Sequence, residues 1–274
     1  MTSRLTIGPD TQLCGIALHP AGHTRSPAMH NAAFAALGID AVYLTFDVPP
    51  EDLAAAISGV RAIGIRQLAI SIPHKESVIA LLDDVDETAR RIGAVNTVTR
   101  RGAKLVGSNT DWLGAVRAIE SVTAVADARA VVLGAGGAAR AVVYGLRARG
   151  ANVTVLNRSP DRAEQLCADL EAEASGPISA LENIPHNILV NTTSVGLAGD
   201  ESPVDPSWID PAAVVMDAVY QPPETRLLRD APSRGARTIP GKWMLVHQAA
   251  EQLREWTGLD APVEVMAEAF DRVG

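Results

Sequence analysis

A two-domain α/β protein is the expectation from this chain of 274 residues, with a doubly wound, dinucleotide-binding sheet in its second half. Two observations carry that expectation. A glycine-rich turn, Gly134-Ala135-Gly136-Gly137, separates an apolar β-branched run from an alanine-rich amphipathic one. Short apolar strands alternate with helical patterns in both halves, which implies mostly parallel sheets. With 47% hydrophobic residues the chain has enough apolar material for two cores.

The first elements follow from local pattern. Ser26-Pro27 reads as a helix start, with Ser as N-cap and Pro at the first helical position. That helix runs through Met29, Ala33, Phe34 and Leu37 to a stop at Gly38. Ala41 to Phe46 reads as a strand. Pro49-Pro50-Glu51 opens a second helix that places Leu53, Ile57 and Val60 on one face. Leu68 to Ile72 is a buried strand running into Pro73-His74-Lys75, with a helix expected through Leu82. Val95 to Thr99 and Lys104 to Val106 form a hairpin around Arg101-Gly102. Asn109-Thr110-Asp111 then leads into a helix from about Trp112 to Ser121, with Asp111 placed to cap it.

The glycine turn lies inside a mononucleotide-binding unit. Ala130 to Leu133 is the first strand, Ala138 to Arg149 the helix, and Asn152 to Leu156 the second strand. Glycines let the backbone approach a pyrophosphate, and the helix N-terminus offers it free N–H groups and partial positive charge. NAD-binding units usually carry Asp or Glu about 20 residues further on, for the ribose 2′-OH. Here the second strand ends in Asn157-Arg158-Ser159, with Arg162 a helical turn beyond. Two guanidinium groups and no carboxylate suit a 2′-phosphate, so the cofactor is read as NADP. Further on, Asn187 to Val190 is a strand whose following loop, Asn191 to Leu197, should lie near the nicotinamide. In the helix over Leu245 to Trp256, Leu245, Ala249 and Leu253 share a core face and Gln248 stands beside it.

Composition narrows the partners. A net charge of −8 argues against nucleic acid or an anionic membrane. No apolar stretch approaches the ~18 residues of a membrane span, and Met1 to Leu13 has no apolar signal core. Cys14 and Cys167 do not make a disulfide framework, so the reading is a cytoplasmic protein with reduced thiols. His19 and His23 are spaced like metal ligands, but Pro20 and Gly22 between them disfavour a shared helix face, and no metal is expected.

Nine loop segments, in order, resemble the shikimate dehydrogenase family. They are Ser26-Pro27 with Met29-His30-Asn31, Pro73-His74-Lys75, Ile92 to Thr97, Asn109-Thr110-Asp111, Gly134 to Arg140, Asn157-Arg158-Ser159, Asn191 to Gly196, Asp217 to Tyr220, and Gln248-Ala249-Ala250. The resemblance implies a substrate domain over residues 1–111, joined by C-terminal helices over 243–274. An NADP domain spans 112–242, with a cleft between the two. It implies reversible NADPH-dependent reduction of 3-dehydroshikimate to shikimate, a step of aromatic amino acid biosynthesis, by a monomer or homodimer. Quinate, aminoshikimate or another cyclic hydroxy acid is the alternative substrate, and a non-catalytic dinucleotide-binding regulator the alternative of another class.

The resemblance also assigns residues. Lys75 and Asp111 match the family's catalytic pair. Ketone reduction needs a proton delivered to oxygen, and a cation beside an orienting carboxylate can supply it without a metal. Thr24, Ser26, Ser71, Asn96, Tyr220 and Gln248 fall on substrate-contact positions. Gly134, Ala135, Gly136, Gly137, Ala138, Asn157, Arg158, Ser159, Arg162, Thr192, Thr193, Ser194, Val219 and Gly241 fall on cofactor positions. His74 is expected to pack rather than react. Two positions depart from the family: Thr24 replaces a usual serine, and Ala69 replaces an asparagine expected to meet a ring hydroxyl. An unmatched hydroxyl costs on the order of 1–3 kcal/mol, so these positions bear on substrate choice.

Overall fold

The structure is a computed structural model and describes residues 7–22 and 24–273. His23 lies outside the described residues, as do the first six positions of the segment read for a leader. The chain divides into two compact units, Met1–Thr110 with Ala249–Gly274, and Asp111–Gln248.

The first unit is built from β1 (Gln12–Leu18), α1 (Ser26–Leu37), β2 (Ala41–Asp47), α2 (Leu53–Ile63), β3 (Gln67–Ile70), β4 (Asp84–Val85), α3 (Glu87–Ile92), β5 (Thr97–Arg101) and β6 (Lys104–Ser108). Its sheet has the order β2-β1-β3-β5-β6-β4. It is mixed: β1 runs parallel to β2 and β3, while β5 is antiparallel to both β3 and β6. The expected hairpin at Arg101-Gly102 supplies the reversal, with Gly102 left-handed at φ 64°. Against one face, α2 buries Leu53, Ile57 and Val60 on Leu68, Ile70, Val98 and Leu105, as its periodicity predicts.

Three local expectations are corrected. Ser26 is the first helical residue rather than the N-cap; Arg25 takes the cap position, and the Ser26 N–H donates to Thr24 Oγ1 at 3.3 Å. β3 ends at Ile70; backbone bonds to the β1 side persist as far as Ile72, whose carbonyl accepts from His19 N–H at 3.0 Å, and Pro73 has no N–H to extend them, while the Ile72 side chain is exposed rather than buried. The segment after Lys75 is only a 3₁₀ turn, Ser77–Leu81, which buries Val78 alone. One apolar anchor is too few for a longer amphipathic helix.

The second unit contains α4 (Asp111–Glu120), β7 (Arg129–Leu133), α5 (Gly137–Ala148), β8 (Asn152–Leu156), α6 (Pro160–Leu170), β9 (Ala174–Gly176), β10 (Ile188–Asn191), β11 (Val214–Asp217), α7 (Arg226–Asp230) and β12 (Arg237–Ile239). Two helices close the chain, α8 (Gly241–Thr257) and α9 (Val263–Arg272). α8 starts in the second unit and ends in the first. The second sheet is β12-β11-β10-β7-β8-β9 and wholly parallel. Both faces are covered: Val132, Val153, Val155 and Val190 pack with Val142, Val143 and Leu146 of α5, while Val131, Leu133, Leu189 and Val215 pack with Leu227 and Ile209. Burial on both faces explains why these strands read as unbroken apolar runs. Strand order reverses between β7 and β10, the crevice where doubly wound sheets bind ligands.

Candidate functional site

In the first unit the site residues gather at one edge of the sheet because of its topology. The parallel strands β1 and β3 end there, and the chain continues to Thr24 and Ser26 from one and to Ser71 and Lys75 from the other. Antiparallel β5 begins at that same edge, since Thr97 faces Ala69, and β6 ends there, since Ser108 faces Thr97. Asn96 precedes β5 and Thr110 follows β6 closely, so residues far apart in sequence meet at that end of the first unit's sheet, while Asp111, next after Thr110, opens the second unit.

Hydrogen bonds lock this edge. The Lys75 carbonyl accepts from Val95 N–H at 2.7 Å. The Asn96 Oδ1 accepts from Thr110 N at 2.8 Å and from Thr97 Oγ1 at 2.8 Å, while its Nδ2 donates to Thr110 Oγ1 at 3.0 Å. Gln252 of α8 donates to the Asn96 carbonyl at 3.1 Å and to Thr97 Oγ1 at 2.9 Å. Asn96, Thr97, Thr110 and Gln252 are all buried. Thr110 immediately precedes Asp111, so the backbone leading into Asp111 is held on the Val95-Asn96 segment, which also bonds the Lys75 carbonyl. Asp111 is itself buried and is the first residue of α4 rather than its cap. Lys75 is half-buried. His74 is a packing residue as expected: fully buried, it donates from Nε2 to the Val48 carbonyl at 2.7 Å. Thr97 and Gln252 were missed by sequence reasoning. Gln252 stands one helical turn beyond Gln248, and that i, i+4 spacing was the available signal.

In the second unit the cofactor positions lie at the carboxyl ends of β7, β8, β10 and β11 and at the start of α8. Gly134 is left-handed at φ 113°, and a Cβ there would come within 2.6 Å of Thr192 Oγ1. Thr192 in turn donates to the Leu133 carbonyl at 2.6 Å, which ties the ends of the two strands flanking the crevice. A Cβ on Gly136, the N-cap of α5, would meet nothing within 4 Å, so that backbone faces open space. Asn157 shapes the next turn through a 3.1 Å bond to the Ser159 carbonyl. Arg158 and Arg162 are exposed there, and neither guanidinium bonds to a described residue. The close-approach glycine and the open helix-terminal N–H groups suit a dinucleotide pyrophosphate, and the two unengaged guanidinium groups suit a 2′-phosphate.

The loop after β10 is built around Asn191. Its Oδ1 accepts from Thr193 N at 3.0 Å and Thr193 Oγ1 at 2.7 Å, and its Nδ2 donates to Asp217 Oδ1 at 2.9 Å. Asp217 is fully buried, and burial pushes its carboxyl up to about 6. Tyr220 is half-buried and Gln248 buried; both belong to the second unit, apart from the other substrate positions.

Three family models match the chain: the shikimate dehydrogenase substrate binding domain over residues 16–98, shikimate / quinate 5-dehydrogenase over 117–196, and the shikimate 5′-dehydrogenase C-terminal domain over 241–269. An NADP(+) shikimate dehydrogenase of Thermococcus kodakarensis is 46% identical over 254 residues, covering 91% of this chain and 92% of its own. The chain belongs to the shikimate dehydrogenase family. Solved relatives agree in fold. The shikimate 5-dehydrogenase of Thermus thermophilus, in complex with NADP(H) and shikimate, has TM-score 0.90 and 38% identity, covering 95% of this chain and 99% of its own. The quinate dehydrogenase of Corynebacterium glutamicum, in complex with NAD, has TM-score 0.88 and 33% identity, covering 96% and 99%. As a member of this family, the chain is an α/β oxidoreductase with an N-terminal substrate domain and a C-terminal dinucleotide domain, as its sequence predicts. No helix among the described residues is long and apolar enough to cross a membrane.

Proposed function

We propose that the protein catalyses the reversible NADPH-dependent reduction of 3-dehydroshikimate to shikimate, as a cytoplasmic biosynthetic enzyme, monomeric or homodimeric. The observation that carries this reading is the sheet edge that gathers Thr24, Ser26, Ser71, Lys75 and Asn96, with Asp111 next in chain to Thr110. Thr24 and Ser26 meet the substrate carboxylate, Ser71 keeps a hydroxyl for the ring, and Asn96, Tyr220 and Gln248 are polar contacts to the ring and carboxylate. The Gly134–Ala138 turn, Asn157 to Arg162, Thr192 to Ser194, Val219 and Gly241 would hold NADPH, which when bound would supply the hydride. Lys75 delivers the proton to the carbonyl oxygen, and Asp111 orients its ammonium and relays the proton. Arg158 and Arg162 clamp the 2′-phosphate.

A second reading, a related cyclic hydroxy acid such as quinate, draws on Ala69 and Thr24. Ala69 is buried in β3 directly across from Thr97, whose hydroxyl is already engaged by Gln252. Ala69 itself supplies no side-chain amide for a ring hydroxyl. Steady-state kinetics with shikimate and quinate, each with NADP and NAD, separate the readings, and the shikimate–NADP pair is expected to give the highest kcat/KM. Under the first reading, Ala69→Asn with Thr24→Ser improves shikimate kcat/KM. Unchanged or poorer shikimate use in that double variant, with faster turnover of quinate by the unmodified enzyme, would move the substrate to the second reading.

A further inference from the structure

We propose that Asp217 is a positioning residue for the reacting half of the cofactor, acting by clamping two loops of the second unit into one fixed arrangement. The inference rests on the reading that the loop after β10 faces the nicotinamide and that Val219, just after β11, touches the cofactor.

The clamp is built from strand ends. Asn191 and Asp217 are the last residues of β10 and β11 and are paired in register. Beyond them the two chains leave the sheet, and backbone pairing stops within a residue, at Ala218 N–H to the Asn191 carbonyl, 2.8 Å. What joins the two loops to each other after that point is the Asp217 carboxylate. Its Oδ1 accepts from Asn191 Nδ2 at 2.9 Å and from Val219 N at 3.0 Å, and its Oδ2 accepts from Thr225 Oγ1 at 2.6 Å. One side chain thus joins the end of β10, the segment after β11, and Thr225, whose hydroxyl also accepts from Leu228 N at the start of α7.

Each bonded partner passes the restraint on. Through Asn191 the carboxylate reaches Thr193, both of whose donors are spent on Asn191 Oδ1, and Val195, whose N–H donates to Thr193 Oγ1 at 3.2 Å. Through Val219 it sets the residue before Tyr220. From the other side, the start of α8 closes on the same segment: a Cβ on Gly241 would lie 2.6 Å from the Val219 carbonyl, 2.7 Å from that of Asp217 and 2.8 Å from that of Ala218. Residues 217–219 are therefore held between the carboxylate's bonds and the α8 backbone.

A carboxylate is a costly way to build ordinary core. Asp217 is fully excluded from solvent, and its direct partners, Asn191, Thr225 and the Val219 amide, are all uncharged. Burying a charge without a counter-ion is unfavourable, and a neutral or apolar side chain would serve packing more cheaply. What the carboxylate offers instead is acceptor capacity on both oxygens, with bonds stronger than neutral ones and donors drawn from three separate segments. Hydride transfer is sensitive to sub-ångström placement, which is where such rigidity acts.

The test uses the whole enzyme and separates the two halves of the cofactor. Affinities for NADPH and for adenosine 2′,5′-bisphosphate, which carries only the adenine half, are measured beside steady-state kcat and KM. Asp217→Asn cannot accept on both sides, because its amide turns donors toward either Thr225 or the Asn191–Val219 pair. It should lower kcat at least tenfold and weaken NADPH, while binding of the bisphosphate stays within twofold of the unmodified enzyme. Thr225→Val should reproduce part of the loss and Thr225→Ser should restore it, since Ser keeps the hydroxyl and the cap; this pair remains informative if Asp217→Asn does not fold. Unchanged kcat and NADPH affinity across the variants would overturn the proposal. So would an equal loss of NADPH and bisphosphate, which would mean that Asp217 only supports the unit as a whole. If the unmodified enzyme binds the bisphosphate but gains nothing from the rest of NADPH, the cofactor reading itself falls and takes the inference with it.

Discussion

At the residue scale the chemistry turns on a few side chains whose surroundings are set by distant parts of the chain. Lys75 is held through its carbonyl by Val95, and the Asp111 backbone through Thr110 by Asn96. Under the proposed mechanism, Lys75→Ala removes the proton donor without disturbing that frame. Turnover should fall roughly 10²–10⁴-fold, the usual scale for a positioned acid or base, with a smaller change in KM. A kcat preserved within a few fold while only KM rises would make Lys75 a binding residue. The guanidinium groups of Arg158 and Arg162 have no partner among the described residues, so little structure depends on them. Arg158→Ala should raise KM for NADP at least tenfold and leave NAD nearly unaffected. Equal effects on both cofactors would remove the 2′-phosphate assignment. Gly134 and Gly241 were legible as glycines but not as contacts, because what a Cβ would strike belongs to Thr192 in one case and to the carbonyls of residues 217–219 in the other.

At the element scale α8 does several jobs along one helix. Its start packs on the segment after β11, its middle carries Gln248, and its far half fastens to the sheet of the first unit through Gln252 and Glu255. Glu255 accepts from Ser108 Oγ at 2.6 Å at the end of β6. Burial pushes its carboxyl up from 4.5 to about 7, opposed by the Ser108 bond and reinforced by the negative charge of Asp86 and Glu251. The sign follows from linkage. The folded state holds this proton more tightly than the unfolded state, so ionised Glu255 weakens folding above pH 7 and the penalty is relieved as pH falls from 7 toward 4.5. Glu255→Gln keeps an acceptor for Ser108 and removes the charge. It should be more stable than the unmodified enzyme at pH 8, on the order of 1–3 kcal/mol by urea unfolding, with the gap closing at lower pH. A gap independent of pH would mean that the charge is not the cause.

At the scale of the whole molecule the chain returns to its starting unit. The first unit consists of an N-terminal stretch completed by Ala249–Gly274. α9 buries Met266, Ala267, Ala269 and Phe270, and it packs on α1, which contributes Met29, Ala33 and Phe34. Phe34 also meets Trp256 of α8 edge-on at 5.8 Å. The core of the substrate unit thus depends on the last residues in sequence. Met266→Ala should cost about 2–5 kcal/mol, the usual range for emptying a fully buried position. Hydrogen exchange should rise first in α1 and β1, while β7 and β8 keep their protection. Uniform loss across both units would show that they unfold as one cooperative block.

The sequence by itself determined most of the local architecture and the chemistry of the second unit. Glycines, β-branched runs and the absence of an acid after Leu156 are local signals, and a βαβ unit is built from local contacts. The first helix stop at Gly38, the α2 face and the hairpin at Gly102 were legible for the same reason. Tertiary structure decided the rest. Whether Ser26 caps its helix depended on where Thr24 pointed, and the length of the turn after Lys75 depended on what Val78 could bury. The polar frame of Asn96, Thr97, Thr110 and Gln252, and the Asp217 clamp, join residues that only strand register brings within hydrogen-bond reach. A buried hydrogen bond between distant segments leaves no period in a sequence, because its geometry exists only once the sheet has formed.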